Sequence, residues 1–170
     1  MSNTVKITIP YTPKAKASVR SGKFGHYNPS CRGMLQTREY VQSCIPKQVL
    51  PLMKGPLLVI CHFQIPCPKH TMKRRREFLN TLPHTKRPDG DNLEKFLNDA
   101  LNGVIWSDDS HISWLLRSKS ITSHETGATT IFVKELNDEK PDYQVIVDTL
   151  IDHIELPNLA ELEKANAPAN

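Results

Sequence analysis

The thirteen residues from Asp91 to Gly103, DNLEKFLNDALNG, constrain this chain more than any other stretch. Leu93, Phe96, Leu97, Ala100, Leu101 and, just beyond, Val104 recur at helical spacing, so the segment reads as an amphipathic helix that must lie on an apolar surface. Asp91 stands where an N-cap belongs and Gly103 where a helix stops. The other side carries Asp91, Lys95, Asp99 and Asn102 at steps of four, four and three residues, which puts Lys95 one turn from Asp91. The helix is bracketed by carboxylates: Asp89 and Asp91 before it, Asp108 and Asp109 after it.

Strand signals surround it. Val5 to Ile9 alternates with period two and closes at Pro10. Pro56 to Ile65, PLLVICHFQI, is apolar enough for a strand buried at the centre of a sheet. Ser113 to Thr122 and Thr129 to Leu136 read as two further strands, and the turn residues His124 to Gly127 predict that they form an antiparallel hairpin. A second helix is expected over Thr37 to Leu50, capped by Thr37 and kinked or broken at Pro46. The order is strand, helix, strand, helix, strand, strand.

A chain of 170 residues suits one domain. Residues 1–136 hold 20 Lys and Arg against 10 Asp and Glu, a net +10, whereas residues 137–170 hold 2 against 8, a net −6. The division predicts a folded basic domain over 1–136 and an acidic extension over 137–170. Tyr143, Ile146, Val147, Leu150 and Ile154 suggest a helix there, with the remainder disordered. A basic body points to a polyanionic partner. Cys31, Cys44, Cys61 and Cys67 form no CxxC pair, no secretory signal precedes them, and no run approaches a membrane span, so a soluble cytoplasmic protein without bridges is expected. The grouping Cys61, His62, Cys67 and His70 fits no common zinc spacing, and Cys61 reads as a core strand residue.

Two basic segments could meet the polyanion. Tyr11 to Arg32 is rich in Pro, Gly and Ser and carries Lys14, Lys16, Arg20, Lys23 and Arg32 with Phe24 and Tyr27 between them, suited to phosphates and to stacking on exposed bases. A merely solvated loop is the alternative. Lys69, Lys73, Arg74, Arg75 and Arg76 crowd the segment before the first aspartates, and Lys86 and Arg87 adjoin them. Cations beside carboxylates are what an enzyme needs to hold a phosphodiester against a metal ion. Magnesium takes a few hard carboxylate oxygens and completes its shell with water and substrate phosphate, and manganese accepts the same ligands. Asp89 and Asp91, separated by Gly90, with a third carboxylate from the Asp108–Asp109 turn, suit such a site, and Lys95 would stabilise charge in the transition state. The competing reading is that Asp89 and Asp91 cap the helix while Asp108 and Asp109 occupy a surface turn.

The whole stretch HTKRPDGDNLEKFLNDALNGVIWSDDSHI, from His84 to Ile112, closely resembles the signature of the RusA family of Holliday junction resolvases. PCPKHTMKRRR resembles the lead-in of its phage members, and the likeness covers roughly Val5 to Leu136. The resemblance implies an α+β fold, a small single domain with a mixed sheet and two main helices. It also implies a homodimer that nicks opposing strands of a four-way junction with Mg2+. Metal ligation would fall to Asp89, Asp91 and Asp109, with Lys95 as the catalytic lysine and Asp108 as a neighbour of the third ligand. A protein that binds branched DNA without cutting it is the alternative.

Overall fold

The computed structural model describes residues 4–23, 25–45 and 53–136. The expected helix over residues 143–154 and the acidic extension lie outside them. The four-stranded sheet is built on β1 (Thr4–Ile9), β4 (Leu57–Pro66), β5 (Ile112–Thr122) and β6 (Ala128–Glu135). A small ribbon pairs β2 (Arg20–Gly22) with β3 (Gly25–Tyr27), and the helices are α1 (Cys31–Cys44), α2 (Lys73–Leu79) and α3 (Gly90–Leu101). This is the expected α+β domain with a mixed sheet.

The strand order is β1-β6-β4-β5, with β4 parallel to β5 and antiparallel to β6. The expected hairpin between the last two strands is therefore corrected: β5 and β6 do not pair, because β4 lies between them. Leu57, Leu58, Val59 and Ile60 are all buried, and a continuous apolar run of this kind belongs in the interior of a sheet, where backbone groups are paired on both edges. The turn residues carry the chain across the end of β4 rather than folding it back. Gly127 makes that passage possible, since a Cβ there would lie 2.2 Å from the Gln64 carbonyl oxygen.

On one face of the sheet, α1 and α3 pack over Ile7, Ile9, Val59, Cys61, Phe63, Ile131 and Val133. α3 contributes Leu93, Phe96, Leu97, Ala100 and Leu101, all buried, as its spacing predicts. Each large side chain so buried is worth about 1.5–3 kcal/mol, so this face holds the helix against the sheet. The helix begins two residues earlier than expected, with Asp89 rather than Asp91 at its N-cap, and Gly103 ends it at φ +75°. Arg38 of α1 reaches the freed carbonyls at its other end, donating to Ala100 O at 3.2 Å and Asn102 O at 3.0 Å.

α1 starts at Cys31, six residues before the expected cap. An Asn28–Pro29 turn begins it, with Ser30 N donating to Asn28 Oδ1 at 2.9 Å, and Thr37 becomes a buried interior residue. Its end matches the proline argument: Ile45 is extended at φ −90°, ψ 120°, as a residue before Pro must be. The basic segment 66–80, read only as a charged run, contains α2. Cys61 is a buried β4 residue whose thiol is pushed up to about 12 by desolvation.

Candidate active site

The N-terminal end of α3 gathers the first group of candidate residues. Asp89 occupies the N-cap position in extended conformation, yet its side chain makes no capping hydrogen bond. Asp91 lies in the first turn, and Lys95 Nζ donates to its Oδ2 at 3.2 Å. That bond, helped by the lysine charge and by the backbone amides of Asn92 and Asp91 itself, holds the Asp91 carboxyl below its ordinary range, so it stays ionised. Both partners are about half exposed, and exposed ion pairs add little to stability.

The loop that delivers Asp89 is clamped from the sheet. Lys119 of β5 donates from Nζ to Pro88 O at 2.8 Å and to Lys86 O at 3.0 Å, and the peptide between Arg87 and Pro88 is cis. Arg117, two residues back on the same face of β5, pairs with Glu94 and lies against Gly90. His84 joins this edge through its amide, which donates to Lys119 O at 3.0 Å. Burial, with Lys119 and Lys86 nearby, lowers its imidazole pKa. Sequence reasoning passed over Lys119 and Arg117. The signal available was the period-two placement of Arg117 and Lys119 on the side of the strand that also carries Leu115 and Ile121.

The second aspartate pair is elsewhere. Asp108 Oδ1 accepts from Ser110 N at 2.9 Å, capping the short 3-10 turn Asp109–His111, and these bonds lower its pKa. Asp109 is exposed at the start of that turn, just before β5. α3 begins beside Arg117, and its far end is tied through Trp106 to Met53, just ahead of the β4 residue Leu57 that pairs with Ile112 of β5, so Asp109 lies toward the far end of a helix about 18 Å long. Accordingly, among the described residues no group of three or more His, Cys, Asp or Glu converges.

The expected DNA contacts divide as well. Lys16 pairs with Asp99 at 2.6 Å and its amide donates to Asn92 O at 2.8 Å, so the loop straps α3. Lys14 donates to Gln36 Oε1 at 3.3 Å. Arg20 lies exposed on β2, and Lys69, Lys73, Arg74, Arg75, Lys86 and Arg87 are also exposed. Arg76 instead turns inward to the carbonyls of Thr71 and Lys69.

The chain matches the family described as Endodeoxyribonuclease RusA over residues 10–134. It belongs to the RusA family. Comparison with curated proteins gives no match. A RusA-family protein is an endodeoxyribonuclease of the Holliday junction resolvase class, so branched DNA is its substrate and its chemistry depends on a divalent metal. The residues at the start of α3 fit such an ion. Asp89 has a carboxylate that no capping bond occupies, Asp91 is held ionised, and both offer the hard oxygens that a divalent cation prefers. Among the described residues, no helix of this RusA-family chain is long and apolar enough to cross a membrane.

Proposed function

We propose that the protein resolves Holliday junctions as a homodimer with Mg2+, making paired symmetric nicks, and that Asp89, Asp91 and Asp109 hold the metal. The observation that carries this reading is the Asp89 carboxylate, which stands at a helix N-cap without capping it and next to an Asp91 kept ionised by Lys95. The bound cation would supply water activation and neutralise the leaving oxygen. The remaining work falls to the chain. Lys95 sets the position of the Asp91 carboxylate and places a positive charge where negative charge grows on the phosphate. Lys119 holds the Asp89 loop through two carbonyls, and the exposed cations from Lys69 to Arg87 bind and orient the phosphates on either side of the scissile bond.

The separation of Asp109 from Asp91 supports a dimer. A twofold arrangement that sets the start of β5 in one copy against the start of α3 in the other completes two identical sites at once. Two cuts of like polarity on opposing strands require sites related by that same symmetry.

The test is cleavage of a synthetic four-way junction compared with linear duplex and flap DNA, with and without Mg2+. Junction-selective paired nicks that need the metal are expected, together with a steep fall in binding as salt rises. Asp91→Asn should abolish cutting, and retained wild-type resolution would refute the assignment. Lys95→Ala should bind junctions but cut them about 10²–10³-fold more slowly, the usual loss when one charge-stabilising group is removed. The same separation of Asp109 also favours a second reading, a protein that binds junctions without cutting them, which binding without cleavage in this assay would establish.

A further inference from the structure

α2 is a helix without a buried side chain. Seven residues do not hold a helix in water by propensity alone, so its ends are tied down. Cys67 N donates to Thr122 O at 3.0 Å ahead of it. Behind it, Thr81 N donates to Ile121 O at 2.8 Å and Asn80 Oδ1 accepts from Ser123 N at 2.9 Å. Arg76 and Leu79, both half-buried and three residues apart, make the inner side. The outer side is made by Arg74, Arg75 and Phe78, since Phe78 follows the two arginines by four and three residues. Phe78 is 56% exposed and Met72, at the N-cap, is 76% exposed.

Exposed large apolar side chains on a cationic helix call for a specific partner. Lys73, Arg74 and Arg75 are exposed, and Glu77 is the one acid on the helix, so the partner is anionic. A second copy of α2 would set like charges face to face, which argues against self-association. Position gives the rest. The anchoring residues Ile121 to Ser123 lie two to four residues beyond Lys119 on β5, placing the root of α2 about 7–13 Å along the strand from the clamp on the Asp89 loop. A duplex held at the Asp89 loop is wide enough to reach α2 at that distance. An intact duplex hides the faces of its base pairs, whereas a branch point exposes the last pair of each arm, and an aromatic ring stacks on any such face.

We propose that α2 is a branch-point probe: Phe78 stacks on the exposed face of a base pair where the DNA strands part, while Lys73, Arg74 and Arg75 hold the flanking phosphates. The proposal rests on the branched-DNA reading of the site. It is tested on the full chain carrying Asp91→Asn, so that binding is measured without cutting. Phe78→Ala should weaken four-way junction binding about tenfold and linear duplex binding less than twofold, with Phe78→Trp retaining affinity, in line with the usual strength of base–aromatic stacking. A 2-aminopurine placed at the branch point should change fluorescence on binding the parent protein and the Trp variant, but not the Ala variant. Arg74→Ala with Arg75→Ala should weaken both DNAs alike and flatten the salt dependence. Unaltered junction preference in Phe78→Ala would overturn the probe while leaving the resolvase reading intact, as would equal loss on both DNAs or a change in sedimenting mass. A parent protein that binds junction and duplex equally would overturn the branched-DNA reading and the probe with it.

Discussion

The Lys119 ammonium lies 2.8 Å from the Pro88 carbonyl oxygen, tying a β5 residue to the peptide that immediately precedes Asp89. With its second bond to Lys86 O, this lysine holds the loop at two carbonyls. Removing it leaves two carbonyls without a donor and frees the Asp89 backbone. Lys119→Met should therefore raise the metal concentration that half-activates junction cleavage and lower the cleavage rate about tenfold, with the fold lost by no more than about 1–3 kcal/mol. Lys119→Arg should restore part of the metal affinity. An unshifted metal titration in Lys119→Met would show that the clamp does not position the site.

The location of Asp109 at the far end of α3 from Asp91 can be tested by mixing two inactive proteins. If each site draws Asp89 and Asp91 from one copy and Asp109 from the other, a heterodimer of Asp91→Asn with Asp109→Asn contains one intact site and one doubly damaged site. Single nicks in the junction should then appear on mixing. A site confined to one chain predicts no recovery, so silence from a mixture shown to exchange subunits would count against the shared site.

Gly127 supports the passage over the end of β4. A methyl group there would lie 2.2 Å from Gln64 O, 2.8 Å from Pro13 Cδ and 3.0 Å from Pro66 Cδ, and two of those three contacts are with rigid rings. Gly127→Ala should lower the denaturation midpoint by the equivalent of about 1–3 kcal/mol, the usual cost of overpacking. Gly25→Ala is a useful contrast: a Cβ there meets nothing within 4 Å, and only its φ of +117° opposes the change. Equal stability of the wild type and Gly127→Ala would contradict the close approach.

His62 lies between two hydroxyls, with Nδ1 2.7 Å from Ser118 Oγ and Nε2 3.0 Å from Ser120 Oγ. The neutral ring can donate to one serine and accept from the other. Burial lowers its pKa from the ordinary 6.5. Below pH 6.5 the unfolded chain binds a proton that the folded chain refuses, so stability is complete above that value and falls as the pH drops toward the folded pKa. The melting temperature should decline from pH 7.5 to pH 5, and His62→Gln should make that decline shallower. His84, lowered in the same direction, accounts for part of the slope that remains. An identical pH profile in His62→Gln would remove His62 from the account.

What the sequence determined by itself was local. The apolar stripe of α3, the stop at Gly103, the extended residue before Pro46 and the meeting of Lys95 with Asp91 follow from contacts three or four residues apart or from single-residue stereochemistry, which the order of residues carries directly. The apolar run of β4 likewise showed that it lies inside the sheet. Which strands flank it was a tertiary decision, because hydrogen-bonded neighbours are chosen by competition among edges far apart in the chain, and the turn at His124–Gly127 serves a crossing as well as a hairpin. For the same reason the charge of Lys16 went to Asp99, Lys119 went to the carbonyl before Asp89, and Asp109 ended a helix length away from the aspartates it stands near in sequence.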